Sequence, residues 1–313
     1  MPLRVAFFGS PEFAVPSLEA CVARFEVALV VTQPDRPAGR GRKLAPTAVH
    51  QQAGVHGLEV VQYERAQRPA LEARLREYAV EVLVVVAFGH ILKASTLQAA
   101  PHGAVNVHAS LLPRWRGVAP IERAILAGDA KTGVSLMVLD AGVDTGPVLG
   151  TWETAIAPEE TRVTLTGRLA EAGAELLVAH LENYTRGELL PVPQPLQGAT
   201  YAPRLEKSEG RLDFERSPRQ LADQVRGLFE WPGAFTTLAG APLKIHAAQP
   251  STVPAAAAPG TIILADARAG VHVACAGGAL ELIEVQMAGK ARVAARDLVR
   301  GRVLTPGLRL GAP

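Results

Sequence analysis

Over the first 190 positions, apolar residues alternate between short continuous runs and helical spacing. Arg4 to Phe8 reads as a short strand that ends at Gly9-Ser10-Pro11, and proline suits the first turn of the helix that follows with Phe13, Val15 and Leu18. Further strands are expected at Val27 to Val31, near Leu58 to Val61, and over Val80 to Phe88. The last of these is apolar without alternation, as in a central strand buried on both faces. Helical spacing covers Arg68 to Tyr78 and Pro120 to Ala127, the latter with Ile121, Ile125 and Leu126 on one face, and Thr132 to Leu139 reads as another strand. A long helix is expected from about Glu159 to Tyr184, with Leu165, Leu169, Leu176 and Leu177 at core spacing. This alternation of β and α elements predicts an α/β fold: a Rossmann-like, mostly parallel sheet whose ligands sit at the carboxyl ends of the strands.

The periodicity then stops. Leu190 to Gly198, LPVPQPLQG, is rich in proline and has no apolar face, as expected of a semi-rigid linker. Beyond it, Ser217-Pro218 is an N-cap followed by proline at the first helical position, opening a helix to about Phe229. Short strands follow near 233–238, 243–247 and 261–265, and as a hairpin of 271–275 with 279–285 around Gly277-Gly278. They predict a small C-terminal β-barrel of OB-like type, ending in a basic helix. The expected organisation is a catalytic domain over 1–189, a linker over 190–208 and a β-barrel domain over 209–313.

Candidate chemistry concentrates in GAVNVHASLLPRWRG, residues 103–117. Side chains alternate along a strand, so Asn106, His108 and Ser110 are expected on one face and Val105, Val107 and Ala109 on the other. Proline at 113 ends the ladder, and Arg114 to Gly117 then reads as a ligand-facing loop. A second loop, Asp140 to Gly146, carries two carboxylates. Either would orient the His108 imidazole and stabilise its charged form if it lay within reach, and spacing alone does not choose between Asp140 and Asp144. Taken alone, each Asp also suits ordinary turn chemistry.

Length and charge narrow the classes. With 313 residues and 48% hydrophobic content, two buried cores are feasible. The net charge of +2 leaves any nucleic-acid contact to local patches. There are two. The loop QPDRPAGRGRKLAP places Arg36, Arg40, Arg42 and Lys43 among prolines and glycines, and Lys290 to Arg309 holds six cations against the single acid Asp297. Each reads either as a solvated surface or as a phosphate-gripping element. Neither Gly9 nor Gly39-x-Gly41 completes a dinucleotide or P-loop pattern. Cys21 and Cys275 lie far apart without ligand spacing, so no zinc site or disulfide framework is expected. No window has the roughly 20 apolar residues of a membrane helix, and the start of the chain has no secretory pattern, so a cytoplasmic protein without membrane contact is expected.

SLLPRWRG at 110–117, NVH at 106–108, DAGVDTG at 140–146, TQPDRPAGRG at 32–41, SPEFA at 10–14 and PGTI at 259–262 occur together. With them the chain resembles the methionyl-tRNA formyltransferases through nearly its whole length. The resemblance implies transfer of the formyl group of 10-formyltetrahydrofolate to the α-amino group of initiator methionyl-tRNA, without a metal. It implies a catalytic set of Asn106 as oxyanion stabiliser, His108 as proton shuttle and Asp144 as its orienter, Asp144 being preferred to Asp140 by position in the family pattern. It further implies folate contacts at Phe88, Gly89, Ser110, Leu111, Leu112, Pro113 and Asp140, much of them through backbone. tRNA contacts are implied at Arg36, Arg40, Arg42, Lys43, Lys290, Arg292 and Arg296, in a monomer. A folate-dependent transferase acting on a free amine, such as an amino sugar or purine precursor, would share the catalytic set without needing the basic segments. A noncatalytic RNA-binding protein on the same fold would have no use for the set.

Overall fold

A computed structural model describes residues 2–38, 43–64 and 67–311, without the side chains of Ala38 and Lys43. The chain divides into two compact units, one of residues 1–120, 131–155 and 166–203, the other of residues 121–130, 156–165 and 204–313.

The first unit opens with β1 (Arg4–Gly9), α1 (Val15–Arg24) and β2 (Glu26–Thr32), followed by the short strands β3 (Arg36–Ala38) and β4 (Lys43–Ala45). Then come α2 (Ala48–Val55), β5 (Val60–Gln62), α3 (Arg68–Glu77), β6 (Val82–Val86), α4 (Ala94–Leu97), β7 (Ala104–His108) and β8 (Arg116–Gly117). α5 (Pro120–Leu126), which from residue 121 belongs to the second unit, precedes β9 (Lys131–Val138) and β10 (Val148–Ala155), after which run α6 (Arg162–Thr185), in the first unit from residue 166, and β11 (Tyr201–Ala202). Seven strands form one sheet in the order β10-β9-β7-β6-β1-β2-β5. From β7 to β5 all neighbours are parallel, whereas β9 runs antiparallel to β7 and β10 antiparallel to β9.

The apolar runs explain the centre of the sheet: every residue of β6 and β7 is buried, as is all of β1 after Arg4. On one face Ala6, Phe8, Leu29, Leu83 and Val85 meet Leu71 and Leu75 of α3. α6 lies so close to the sheet that a Cβ on Gly173 would meet Val107 Cγ1 at 2.6 Å. The chain builds β1, β2 and β5 to one side of β1, then returns to lay β6 and β7 on the other, so the strand order reverses between β1 and β6. In open α/β sheets that reversal leaves a ligand crevice at the carboxyl ends. Gly9 ends β1 and Phe88-Gly89 follows β6, and Gln33 Nε2 donates to the Phe88 carbonyl at 2.8 Å, tying the end of β2 to the same edge.

Several local expectations change. β10 falls where no strand is expected, because it is an edge strand whose residues after Leu149 are at most half-buried, leaving little apolar signal. The basic loop contains the small β3–β4 pair, with Arg36 opposite Ala45. β7 stops at His108: Ser110 N donates back to the His108 carbonyl at 2.9 Å, so the two-residue alternation ends before Ser110.

In the second unit, α7 (Pro218–Gly227) has the expected cap, with Ser217 Oγ accepting from Gln220 N and Gln220 Oε1 accepting from Ser217 N. Its Leu221 and Val225 enter a core with Leu243, Ile245, Val273 and Val285. Strands β12 (Ala234–Leu238), β13 (Ala241–Ser251), β14 (Ile262–Asp266), β15 (Gly270–Cys275) and β16 (Gly278–Met287) form an antiparallel sheet in the order β12-β13-β16-β15-β14, with β17 (Val293–Ala294) on β16. Residues 307–311 close it into a barrel: Leu310 N donates to the Gly260 carbonyl beside β14, and Gly311 N donates to the Thr237 carbonyl of β12. The expected basic terminal helix is only one turn, α8 (Asp297–Arg300). Its surroundings are claimed by the barrel, since Ala295 N bonds the Ile283 carbonyl and Ala295, Leu304 and Leu310 are buried. Among the described residues no helix is long and apolar enough to cross a membrane.

Candidate active site

β7 presents Asn106 and His108 two residues apart, hence on one face of the sheet edge, at 9% and 6% exposure. His108 Nε2 lies 2.9 Å from the Trp115 carbonyl, which can only accept, so Nε2 carries the proton and Nδ1 the lone pair in the neutral ring. Nδ1 faces Asp144 Oδ2 at 3.7 Å. In the neutral ring Nδ1 has no proton to donate to the carboxylate, and the two become a charge pair once the ring is protonated. Asn106 Nδ2 points to Asp144 Oδ1 at 3.5 Å, the outer limit of a hydrogen bond, so its N–H is weakly engaged.

Asp144 is fixed by the backbone. Its Oδ2 accepts from Gly117 N at 2.8 Å, and its φ of 51° is a left-handed conformation that Asp tolerates better than most residues. Gly117 itself sits at φ 116°, and a Cβ there would meet the Ala202 carbonyl oxygen at 2.8 Å, so glycine is required where β8 runs parallel to β11. Asp140, by contrast, is exposed and taken up by its own loop, accepting from Gly142 N at 3.0 Å and Thr145 Oγ1 at 2.8 Å. The structure therefore brings Asn106, His108 and Asp144 together and leaves the Asp140 carboxylate shaping the turn.

The turn after β7 is held from beneath. Ser135, fully buried and opposite His108 in register, donates to the Ser110 carbonyl at 2.7 Å and accepts from Leu112 N at 3.0 Å. Ser110 Oγ in turn donates to the Arg114 carbonyl at 2.7 Å, while Leu112-Pro113 is a cis peptide. Phe88 is a core residue, its ring packed edge-on against Phe8 at 5.3 Å, so it offers the crevice only backbone. The loop around Gly89 turns through positive φ at Ala87 and Gly89. The expected ligand-facing loop 114–117 is instead partly structural: Arg116 is 7% exposed with its guanidinium on Gln194, and the Arg114 guanidinium stacks 4.3 Å from the Trp115 ring. Sequence reading missed Ser135, Gln194 and Thr200, whose only signal was polarity in an apolar strand or a proline-rich run.

Of the basic residues, Arg36 is exposed on β3, whereas Arg40, Arg42 and the Lys43 side chain lie outside the described residues. The base of that segment is anchored by Thr32 and Thr47 hydroxyls 2.7 Å apart and by Asp35 Oδ1 at 3.0 Å from His50 Nδ1. In the second unit Lys290, Arg292 and Arg296 are all exposed, Arg292 pairing with Glu284 and resting 5.4 Å from the Phe229 ring. Burial raises the thiol pKa of Cys21, and raises that of Cys275 to about 12, so neither is a nucleophile at neutral pH. Among the described residues no group of three or more His, Cys, Asp or Glu side chains comes together as a metal site.

Comparison with known proteins gives this geometry a family. The formyl transferase family profile matches residues 3–181, and the profile of the formyl transferase C-terminal domain matches residues 204–303. A methionyl-tRNA formyltransferase of Myxococcus xanthus is 48% identical over 97% of this chain and 96% of its own length. Another from Thiobacillus denitrificans is 49% identical over 99% of this chain and 100% of its own. Among solved structures, an N-formyltransferase from Helicobacter canadensis, in complex with folinic acid and dTDP-3-aminofucose, shares the fold with a TM-score of 0.68 at 18% identity, covering 91% of this chain and 99% of that one. The chain belongs to the methionyl-tRNA formyltransferase family.

Proposed function

We propose that this protein formylates the α-amino group of methionine on initiator tRNA, with Asn106, His108 and Asp144 as its catalytic residues. 10-Formyltetrahydrofolate supplies the formyl group. The observation that carries the residue assignment is the convergence of an amide, an imidazole and a carboxylate at one strand end, with His108 Nδ1 at 3.7 Å from Asp144. The weakly engaged Asn106 N–H is free to turn toward the formyl oxygen, where negative charge develops as the amine attacks, and to stabilise it. His108 is aimed by its Nε2–H on the Trp115 carbonyl, so its Nδ1 lone pair takes the proton that the attacking amine must lose. Asp144 then holds the charged ring until the proton passes to the departing folate nitrogen. Proton count balances without a covalent enzyme intermediate.

The folate cosubstrate fits an edge that presents mainly backbone: the Phe88-Gly89 turn, the Ser110 to Pro113 turn and the Asp140 loop. For tRNA, Arg36, Arg40, Arg42 and Lys43 on one segment and Lys290, Arg292 and Arg296 on the other supply cations for phosphate contacts. A cytoplasmic monomer is the corresponding state of the protein. The free-amine alternative is disfavoured by identity near 48% to transferases acting on methionyl-tRNA, against 18% to the sugar enzyme.

The test is tetrahydrofolate release from 10-formyltetrahydrofolate with methionyl-initiator tRNA, uncharged tRNA and free amines in parallel. Release that needs the charged tRNA supports the proposal, and equal release with a free amine overturns the substrate.

A further inference from the structure

The proline-rich stretch after α6, expected as a linker, is built into the catalytic edge. Val192 and Val148 exchange both backbone hydrogen bonds at 2.8 Å. The Thr200 carbonyl accepts from Arg116 N at 2.9 Å, and Thr200 Oγ1 accepts from Trp115 N at 2.9 Å. Between these anchors stands Gln194. Its Oε1 accepts from Arg116 Nε at 3.0 Å and Nη2 at 2.7 Å, while its Nε2 donates to the Asp144 carbonyl at 2.9 Å and the Gly146 carbonyl at 2.7 Å. One side-chain amide thus uses both N–H groups and both lone pairs to join the loop after β7 to the loop carrying Asp144.

We infer that Gln194 is a positioning residue of the reaction, setting where Asp144 stands relative to His108. The inference rests on the assignment of Asp144 given above. Asp144 is held at a left-handed φ of 51°, and the Gly117 N–H restrains its carboxylate but not its main chain, which needs a restraint of its own. Trp115, whose carbonyl aims His108, is also left-handed at φ 64° and belongs to the segment that Arg116 tethers. Gln194 therefore holds the main chain that carries the carboxylate and, through the Arg116 side chain, ties it to the loop whose Trp115 carbonyl aims the imidazole. Only an amide of this length suits the place. A carboxylate would keep the Arg116 pair but face two carbonyl oxygens with no proton to offer, and a cation would meet the Arg116 guanidinium.

The experiment is steady-state formylation of methionyl-initiator tRNA by the full chain and by Gln194→Ala, Gln194→Glu, Asp144→Asn and the Gln194→Ala/Asp144→Asn double variant, with melting temperatures alongside. The expected result is a fall in kcat of up to about 100-fold for both Gln194 variants, with KM for both substrates within about twofold, as for misplacement of a catalytic group. In the Asp144→Asn background Gln194→Ala is expected to add less than about threefold, because the group it positions is already gone. An unchanged kcat in Gln194→Ala while Asp144→Asn is impaired, or losses that multiply in the double variant, overturns the role of Gln194. Full activity of Asp144→Asn overturns instead the assignment of Asp144 on which the inference stands. Gln194→Glu guards against a packing effect: it is isosteric, so retained stability with a reduced kcat supports positioning, and full activity refutes it.

Discussion

Two polar stretches of this chain reach opposite physical states. Around β7, nearly every polar group is spent on another part of the protein: Ser135 on the Ser110 and Leu112 backbone, Gln194 on four hydrogen bonds to three residues, Gly117 N on Asp144. Around α8 and β17, by contrast, Lys290, Arg292 and Arg296 point to solvent, and the pairing of Arg292 with Glu284 leaves both side chains at the surface. Chemistry at an amine and a formyl carbon needs atoms held to within a fraction of an ångström, so the first stretch is over-restrained. Attraction to a phosphate chain is long-ranged and tolerant of angle, so the tRNA contacts proposed for the second would need only accessible charges.

The contrast predicts a steep difference in the cost of mutation. The largest effect is expected for His108→Ala, which removes the proposed proton carrier and should lower the single-turnover rate of formyl transfer by about 10²–10⁴ with tRNA binding intact. Asn106→Ala follows, at about 10²–10³ in kcat, the usual cost of one donor to a developing oxyanion. Neutralising Lys290, Arg292 and Arg296 together should leave the rate at saturating tRNA within about twofold. Its signature is in binding: the slope of log affinity against log salt should flatten by about one for each phosphate no longer neutralised by the protein. If that triple variant instead lowered the saturated rate as His108→Ala does, the division between the two stretches would be wrong.

The smallest effect concerns stability. Arg123 hydrogen-bonds the Glu209 carboxylate and holds its pKa below the ordinary value, and the backbone N–H of Glu206 adds to the effect. A lowered folded-state pKa contributes stability that is fully present above the ordinary carboxylate range and is lost as pH falls through the lower value. Glu209→Gln should therefore cost about 1–2 kcal/mol at neutral pH by denaturant titration, with the deficit closing in acid.

How much of this was legible along the chain follows from what each element depends on. The unbroken apolar run of β6 and the Ser217-Pro218 cap announce themselves because burial and capping act over neighbouring residues. β10 did not, since an edge strand covered on one side carries half the signal. The run from Lys290 to Arg309 is expected as a basic terminal helix, yet pairing of Val293–Ala294 with β16 and of residues 307–311 with the barrel edges leaves only one helical turn. Ser110 looked like the third member of a polar face until the turn after His108 ended the strand.

The sequence by itself determined the alternation of the central sheet, the spacing that sets Asn106 and His108 on one face, and the family. These depend on periodicity and on residue identity, both of which are local. Only the tertiary structure showed that Asp144, which spacing alone did not separate from Asp140, stands beside His108, that Arg116 turns inward, and that Gln194 of the proline-rich stretch ties the site together. Those are contacts between residues 27 to 78 positions apart, and no pattern along the chain records which of many polar side chains a folded backbone will bring within reach of one another.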